Sequence, residues 1–101
     1  MAAFEEHVRR ALDALPPDLA LGLKNVAVVV EDENLAEPSL LGLFQEAPYL
    51  PAKVTIYRRP LEAHFGHDPE RLEHEIRVTV LHELAHYFGI DEARLAELGY
   101  G

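Results

Sequence analysis

Two histidines and a glutamate near the end of the chain have the types and the spacing that metal chemistry needs. They are His82, Glu83 and His86, within the stretch VTVLHELAHYFGIDEARL. On a helix, side chains four residues apart differ in direction by roughly 40°, so both imidazole rings can converge on one zinc ion. Glu83 would lie beside them, where a carboxylate can act as a general base on water. This H-E-x-x-H pattern predicts metal-assisted hydrolysis.

A catalytic zinc site needs a third protein ligand, because two histidines leave it incomplete. Gly89 can end the helix and turn the chain back, since glycine adopts positive φ without strain. In the metzincin spacing H-E-x-x-H-x-x-G-x-x-H, the third-ligand position falls on Glu92. Asp91 stays open as an alternative ligand, although it also suits the N-cap of a last helix. We therefore favour Glu92 over Asp91.

The pattern has a second, simpler interpretation, in which the helix is amphipathic and its two histidines are solvated and bind no metal. Asp68 as N-cap and Pro69 at the first position predict a helix over 69–88. Its apolar arc should pack on a sheet and consists of Ile76, Val80, Leu81, Leu84, Ala85 and Phe88. The histidines are on the opposite side, so we expect them to open onto a cleft.

The remaining four histidines have structural or surface interpretations. His7 is expected on a helix surface without a nameable partner, and His74 on the apolar side of the long helix. His64 and His67 could form a second metal site, but exposed loop histidines are the simpler interpretation. None of the four competes with the H-E-x-x-H pattern.

The composition restricts the chemistry open to this chain. There is no cysteine, which excludes thiol catalysis and leaves His, Asp and Glu as metal ligands. With 18 acidic and 9 basic residues, the formal charge is -9, which repels phosphate backbones. The densest basic group, Arg58 and Arg59, is too small for a nucleic-acid surface. We expect no nucleic-acid partner.

Neither a membrane span nor a signal peptide is predicted. The most apolar stretch, LALGLKNVAVVV, falls short of the roughly 20 residues that cross a bilayer. Glu5 and Glu6 lie where a signal peptide would be basic. We expect a soluble, cytoplasmic protein with no membrane partner.

The hydrophobic pattern predicts one α+β domain over 1–101, with a small mixed sheet of three to four strands. A first helix over 3–15 should stop at Pro16 and Pro17, and a short last helix should follow the long one. Three strands are expected: 25–32, buried on both faces; 38–45, an edge strand or a bulge at Gly42; and 52–59, half-buried and ended by Pro60. Pro48 and Pro51 mark a loop.

Four stretches resemble, in order, a family of small bacterial proteins described as minimal zincin-like metallopeptidases. They are NVAVVVEDE, LLGLFQ, VTIYRRPLE and VTVLHELAHYFGIDEARLAELGY. The family pattern is similar to H-E-x-x-H-x-x-G-x-x-D, and Glu92 occupies the place of the final acidic residue. The resemblance implies a small sheet, an active-site helix, a C-terminal helix and peptidase-like chemistry.

The resulting hypothesis is a zinc metallopeptidase. His82, His86 and Glu92 would hold Zn²⁺, or another divalent ion, and Glu83 would act as general base. A peptide or protein substrate would bind in extended form along an edge strand at Gly42, Leu43 and Phe44. The rival hypotheses are a metal- or peptide-binding module without turnover and a metal-free interaction protein.

Overall fold

The computed structural model describes residues 3–21, 23–47, 50–88 and 92–100, and within these ranges it leaves the side chains of residues 18, 47, 50 and 86–88 undescribed. The helices and strands in these ranges are α1 (Phe4–Asp13), α2 (Pro17–Leu21), β1 (Val26–Glu31), β2 (Gly42–Ala47), β3 (Leu50–Tyr57), α3 (Arg58–Phe65), α4 (Pro69–Phe88) and α5 (Glu92–Glu97). The predicted α+β class is confirmed, with a first helix, a small sheet, a long helix and a short C-terminal helix.

The three strands form one mixed sheet with β3 in the centre. β1 runs parallel to β3, with Val28 opposite Val54, and β2 runs antiparallel, with Phe44 opposite the same residue. The register of β2 shifts between Gln45 and Ala47. β2 lies at one edge of the sheet, so the prediction of an edge strand is confirmed. The irregularity falls after Gln45 and not at Gly42, the first residue of the strand.

Strand β3 is covered on both faces, and the expectation of a half-buried strand over 52–59 was wrong. Val54 and Ile56 are fully buried, and the alternate residues Thr55 and Tyr57 are only 1% and 4% exposed. The hydroxyl of Tyr57 accepts a hydrogen bond from the Asn34 side chain at 3.1 Å. The alternation of residue types is present, but β3 is the central strand of the sheet and both sets of alternating side chains are buried.

Strand β1 was expected to be buried on both faces, and it is instead the other edge of the sheet. Ala27 and Glu31 are exposed and the valines between them are half-buried. β-branched residues favour a strand at an edge as well as in the centre, so their run could not settle the position. Pro51 also differs from expectation, since it lies in β3, while residues 48 and 49 are outside the described ranges.

Helix α4 packs its apolar side on the sheet and on the other helices. The larger buried cluster contains Phe4, Val8, Ala11, Val54, Ile56, Leu61, Leu72, Ile76, Val80 and Leu84. The smaller cluster contains Leu15, Leu19, Leu81, Ala85 and Leu95. α4 contributes to both, which confirms the predicted apolar arc except at Phe88, whose side chain is outside the described part. A rigid helix with one buried side is what positions the residues on its other side.

Local hydrogen bonding explains where α4 begins, and the geometry of a helix start explains why α3 tolerates Pro60. The Asp68 carboxylate accepts the backbone N–H of Glu70 at 3.1 Å and of Arg71 at 3.3 Å, which confirms it as the N-cap. Pro60 does not end β3 as expected, because β3 passes directly into α3 at Arg58. Proline is tolerated there, since the first N–H groups of a helix have no partner within it.

The two N-terminal helices pack against the core. α1 buries Phe4, Val8 and Ala11, as its predicted amphipathic pattern requires, and ends at Asp13. Pro17 does more than stop this helix, since it begins α2, which was not predicted. In the part of the chain that the structure describes, no helix combines the length and apolar character that a membrane span requires.

Replacement of the N-cap of α4 should measurably destabilise the protein. Asp68→Ala removes the acceptor of two helix N–H groups, and we expect the free energy of unfolding to fall by about 1 kcal/mol. For a domain of this size that corresponds to a melting temperature lower by roughly 4–8 °C. Asp68→Asn keeps an acceptor and is the matched control. Equal melting temperatures for Asp68→Ala and wild type would contradict the assignment.

Candidate active site

A groove lies between the segment that leads into β2 and the side of α4 that faces away from the core. We use "the groove" for the cavity of about 390 Å³ lined by Glu37, Ser39, Leu40, Leu41, Gly42, Val78, Thr79, His82 and Glu83. His82 and Glu83 therefore share one cleft, where the helical spacing predicted it. The groove combines apolar walls with a histidine and two glutamates, and an apolar cleft with a few polar groups is the usual make-up of a binding site.

The carboxylate of Glu83 is held by the edge strand. Its Oε2 atom accepts a hydrogen bond from the backbone N–H of Phe44 at 3.1 Å. A backbone donor is fixed by the sheet, so this bond sets the direction of the carboxylate without a second side chain. Glu83 is therefore pre-positioned beside His82.

The edge strand approaches α4 closely because its first residue has no side chain. A Cβ atom on Gly42 would lie 2.6 Å from Cγ2 of Thr79 and 3.3 Å from the carbonyl oxygen of Thr55. Thr79 is itself fixed, since its hydroxyl donates to the backbone carbonyl of Glu75 at 2.8 Å. Only glycine permits this spacing, which brings the backbone of β2 within reach of Glu83.

The ring of His82 is oriented by the C-terminal segment. Its Nε2 atom lies 3.0 Å from the backbone carbonyl oxygen of Tyr100. A carbonyl only accepts, so Nε2 carries the proton and Nδ1 is the nitrogen with a lone pair in the neutral ring. Histidines that bind metals commonly donate their other N–H to a carbonyl in this way. The bond orients the ring and leaves Nδ1 as the nitrogen that can accept a proton or a ligand.

Tyr100 is kept in place by two further contacts. Its backbone N–H donates to the carbonyl of Leu95 at 2.8 Å, and its ring stacks on His74 with centroids 5.7 Å apart. Gly99 has φ 87°, a value that glycine adopts readily and that turns the chain back after α5. His74 thus has the structural role that was expected, as a support for the segment that contacts His82.

The predicted ligand set is described only in part. Glu92 is exposed in the first turn of α5. His86 belongs to α4, but its side chain lies outside the described residues, and so does the whole of Asp91. Among the described side chains, no three of His, Asp and Glu gather into a metal-binding group. The choice between Glu92 and Asp91 therefore remains a prediction.

Of the three predicted substrate-binding residues, two take part in the geometry of the groove. Gly42 lines it, and Phe44 contributes the backbone N–H that holds Glu83. Side chains alternate along a strand, so that of Leu43 lies on the opposite face of the sheet from Gly42 and Phe44.

The other histidines are accounted for without metal. Nδ1 of His7 lies 2.6 Å from a carboxylate oxygen of Glu73 on α4, a partner that could not be named from the sequence. Helix periodicity alone cannot show which helices pack together. His64 and His67 are exposed, and no metal-binding group of three is present around them among the described residues.

The basic pair near the end of β3 is paired with carboxylates. Arg58 contacts Glu62 at 2.6 Å and Asp32 at 2.9 Å, and these carboxylates raise the pKa of its guanidinium. Arg59 lies 3.7 Å from Glu33. Both arginines therefore have carboxylate neighbours within the chain.

The two hydrogen bonds that organise the groove could not be found from residue types. They use the backbone N–H of Phe44 and the backbone carbonyl of Tyr100, and every residue except proline has both groups. The only local signal was Gly42, whose lack of a side chain is required at the close contact.

Gly42→Ala should destabilise the protein through the contact with Thr79. The added methyl group forces β2 away from α4, and we expect unfolding in urea to show a loss of about 1–3 kcal/mol. Thr79→Ser removes Cγ2 but keeps the hydroxyl, so it should restore much of the stability in the double variant. Wild-type stability of Gly42→Ala would contradict the close approach, as would a double variant no better than the single one.

The bond from His82 to Tyr100 predicts a protected imidazole proton. In ¹H–¹⁵N spectra of the metal-free protein, we expect a slowly exchanging Nε2–H signal of His82, because a hydrogen-bonded proton exchanges slowly. Truncation after Gly99 removes the acceptor and should abolish the signal. Tyr100→Phe retains the carbonyl and the ring, and is the matched control. A protected proton on Nδ1 instead, or one that survives truncation, would refute the arrangement.

Comparison with known proteins places this geometry in a family. No curated protein matches the chain. The model of one protein family, described as zincin-like metallopeptidase, matches residues 23–101, which include the three strands, α4 and α5. With a match over most of its length, and with the H-E-x-x-H helix beside an edge strand, the chain belongs to the zincin-like metallopeptidase family.

Proposed function

We propose that this protein is a zinc-dependent peptidase that hydrolyses peptide bonds in the groove. The observation that supports it most directly is the pairing of Glu83 and His82 in one cleft, with Glu83 held by the Phe44 amide. A structural metal site does not need a carboxylate beside its ligands. Membership of the zincin-like family adds a reason to expect zinc.

In this proposal His82, His86 and Glu92 hold the metal, with Asp91 as the alternative third ligand. Bound there, a zinc ion supplies a Lewis acid that activates water and polarises a carbonyl. His82 offers Nδ1, since its Nε2–H is donated to Tyr100. Two histidines and a carboxylate also accept other divalent ions, so zinc itself is part of the proposal.

Glu83 is assigned as the general base. One oxygen of its carboxylate is engaged by the Phe44 N–H, and this bond keeps the other oxygen at a fixed place in the groove. That oxygen takes a proton from the attacking water and then delivers it to the leaving amine. Pre-positioning matters because a general base must lie within hydrogen-bond reach of the proton it removes.

The substrate is proposed to bind as an extended strand along β2. β2 is an edge of the sheet, and edge strands accept an added strand through main-chain hydrogen bonds. Gly42 lets β2 approach α4 closely, which keeps this edge of the sheet beside Glu83. An unstructured segment of a peptide or protein fits this mode.

Metal content and affinity test the ligand set. We expect about one zinc ion per chain in protein purified without chelators, since a catalytic site holds a single ion. His82→Ala and Glu92→Ala should each lower zinc affinity more than about 100-fold, the upper end of losses seen for residues that only support ligands. Asp91→Ala is the matched variant for the alternative. If it loses zinc and Glu92→Ala does not, the third ligand is Asp91.

Cleavage of unstructured peptides, followed by mass spectrometry, tests the enzyme. Glu83→Gln should retain zinc and lose about 10²- to 10⁴-fold of the cleavage rate, the usual contribution of a general base. Zinc binding without cleavage of any peptide would favour the metal- or peptide-binding module. A wild-type protein that neither contains zinc nor is stabilised by it would refute the zinc peptidase and the metal-binding module.

A further inference from the structure

The groove is lined by a second glutamate, which the proposed chemistry does not use. Glu37 lines it together with Leu40 and Leu41 from the segment before β2, while His82 and Glu83 line it from α4. It is exposed, and none of the ion pairs among the described residues includes it. A carboxylate in this position is available to a ligand.

Glu37 is held in a fixed loop. The side-chain oxygen of Asn34 accepts the backbone N–H of Glu37 and of Ala36, each at 3.0 Å. The side-chain amide of Asn34 donates to Tyr57, which is buried in the central strand. The carbonyl of Glu37 in turn accepts the N–H of Leu40 at 3.0 Å. The loop is therefore tied to the sheet, so the position of the Glu37 backbone does not depend on a ligand.

Apolar side chains form much of the remaining wall, beside Ser39 and Thr79. Leu40, Leu41 and Val78 line this part of the groove. Its volume of about 390 Å³ is near the lower end of ligand pockets, which run from roughly 300 to 1,000 Å³, and suits one or two side chains. An apolar side chain bound there would exclude water from three aliphatic residues.

The features follow one another along the chain, and a turn closed by the Leu40 N–H and the Glu37 carbonyl keeps Glu37 next to the apolar wall. Gly42 adjoins Glu83, since a Cβ at Gly42 would lie 3.7 Å from its Cγ. Leu41 and Leu40 precede Gly42, and Glu37 comes three residues earlier. Moving away from Glu83, a strand on this path would meet the apolar wall first and the carboxylate of Glu37 afterwards.

We propose that the groove selects peptides in which a bulky apolar residue borders the cleaved bond and a lysine or arginine follows it outward, with Glu37 as the residue that selects the positive charge. The inference rests on the proposed function for the position of the cleaved bond. Charge complementarity supports it: the charged side chains that line the groove, Glu37 and Glu83, are both acidic, and the chain has a net charge of -9.

The test measures binding of fluorescent peptides by anisotropy, on protein carrying Glu83→Gln so that turnover does not interfere. The peptides have equal length and differ at two neighbouring positions: Leu-Lys, Leu-Glu and Ala-Lys, each in both sequence directions. We expect Leu-Lys to bind about three- to tenfold more tightly than Leu-Glu, as one exposed ion pair exchanged for a repulsion allows. Leu-Lys should also exceed Ala-Lys, and the charge preference should shrink as salt is added.

Variants at Glu37 separate a local contact from the general charge. Glu37→Gln should reduce the Leu-Lys preference to less than about twofold, and Glu37→Lys should invert it in favour of Leu-Glu. Glu31→Gln changes the net charge equally on the opposite edge strand and should leave the preference unchanged; circular dichroism checks that each variant is folded. A preference that survives Glu37→Gln, equal binding of all peptides, or binding of none would overturn the inference.

Cleavage assays on the zinc-loaded wild-type protein distinguish the two proposals. If the peptides bind in the expected order of affinity but are not cleaved, the peptidase is refuted and the proposed selectivity of the groove stands. Cleavage that is indifferent to the lysine would refute the selectivity and leave the peptidase standing. If the cleavage rates follow the order of the binding affinities, and if the preference for Leu-Lys inverts in Glu37→Lys, both proposals are supported.

Discussion

The close approach of β2 to α4 is the contact on which the rest of the groove depends. Gly42 lies against Thr79 at a distance that no side chain would tolerate, and this spacing lets the Phe44 amide reach the Glu83 carboxylate. A strand displaced outward would lose that hydrogen bond and open the apolar wall at Leu41. One absent methyl group therefore controls the position of a proposed base and the shape of a proposed binding site.

Helix α4 can carry such a site because one of its sides is buried in the core and another lines the groove. Its apolar side contributes to both buried clusters, through Ile76, Val80 and Leu84 in one and Leu81 and Ala85 in the other. Burial of this side fixes the rotation of the helix about its axis, and this rotation sets the directions in which His82 and Glu83 project. Polar residues on the outer side are thus held with the rigidity of the core.

The C-terminal segment closes the arrangement from the other direction. Leu95 of α5 is fully buried with Leu81, and Gly99 then turns the chain so that Tyr100 lies over α4. Its carbonyl takes the Nε2–H of His82, and its ring rests on His74. β2 and Tyr100 are distant from each other in sequence, and each fixes one polar side chain of the same helix.

The sequence by itself determined the local features: the bounds of α4, its N-cap at Asp68, its buried arc, and the placement of His82 and Glu83 on one cleft. These follow from periodicity and capping, which act within a few residues. Only the tertiary structure decided which strand is central, because the alternation in β3 and the valine run of β1 are compatible with either position. It also decided the partners of Glu83, His82 and His7, since those bonds join segments far apart in the chain through backbone atoms or helix packing that residue types do not reveal.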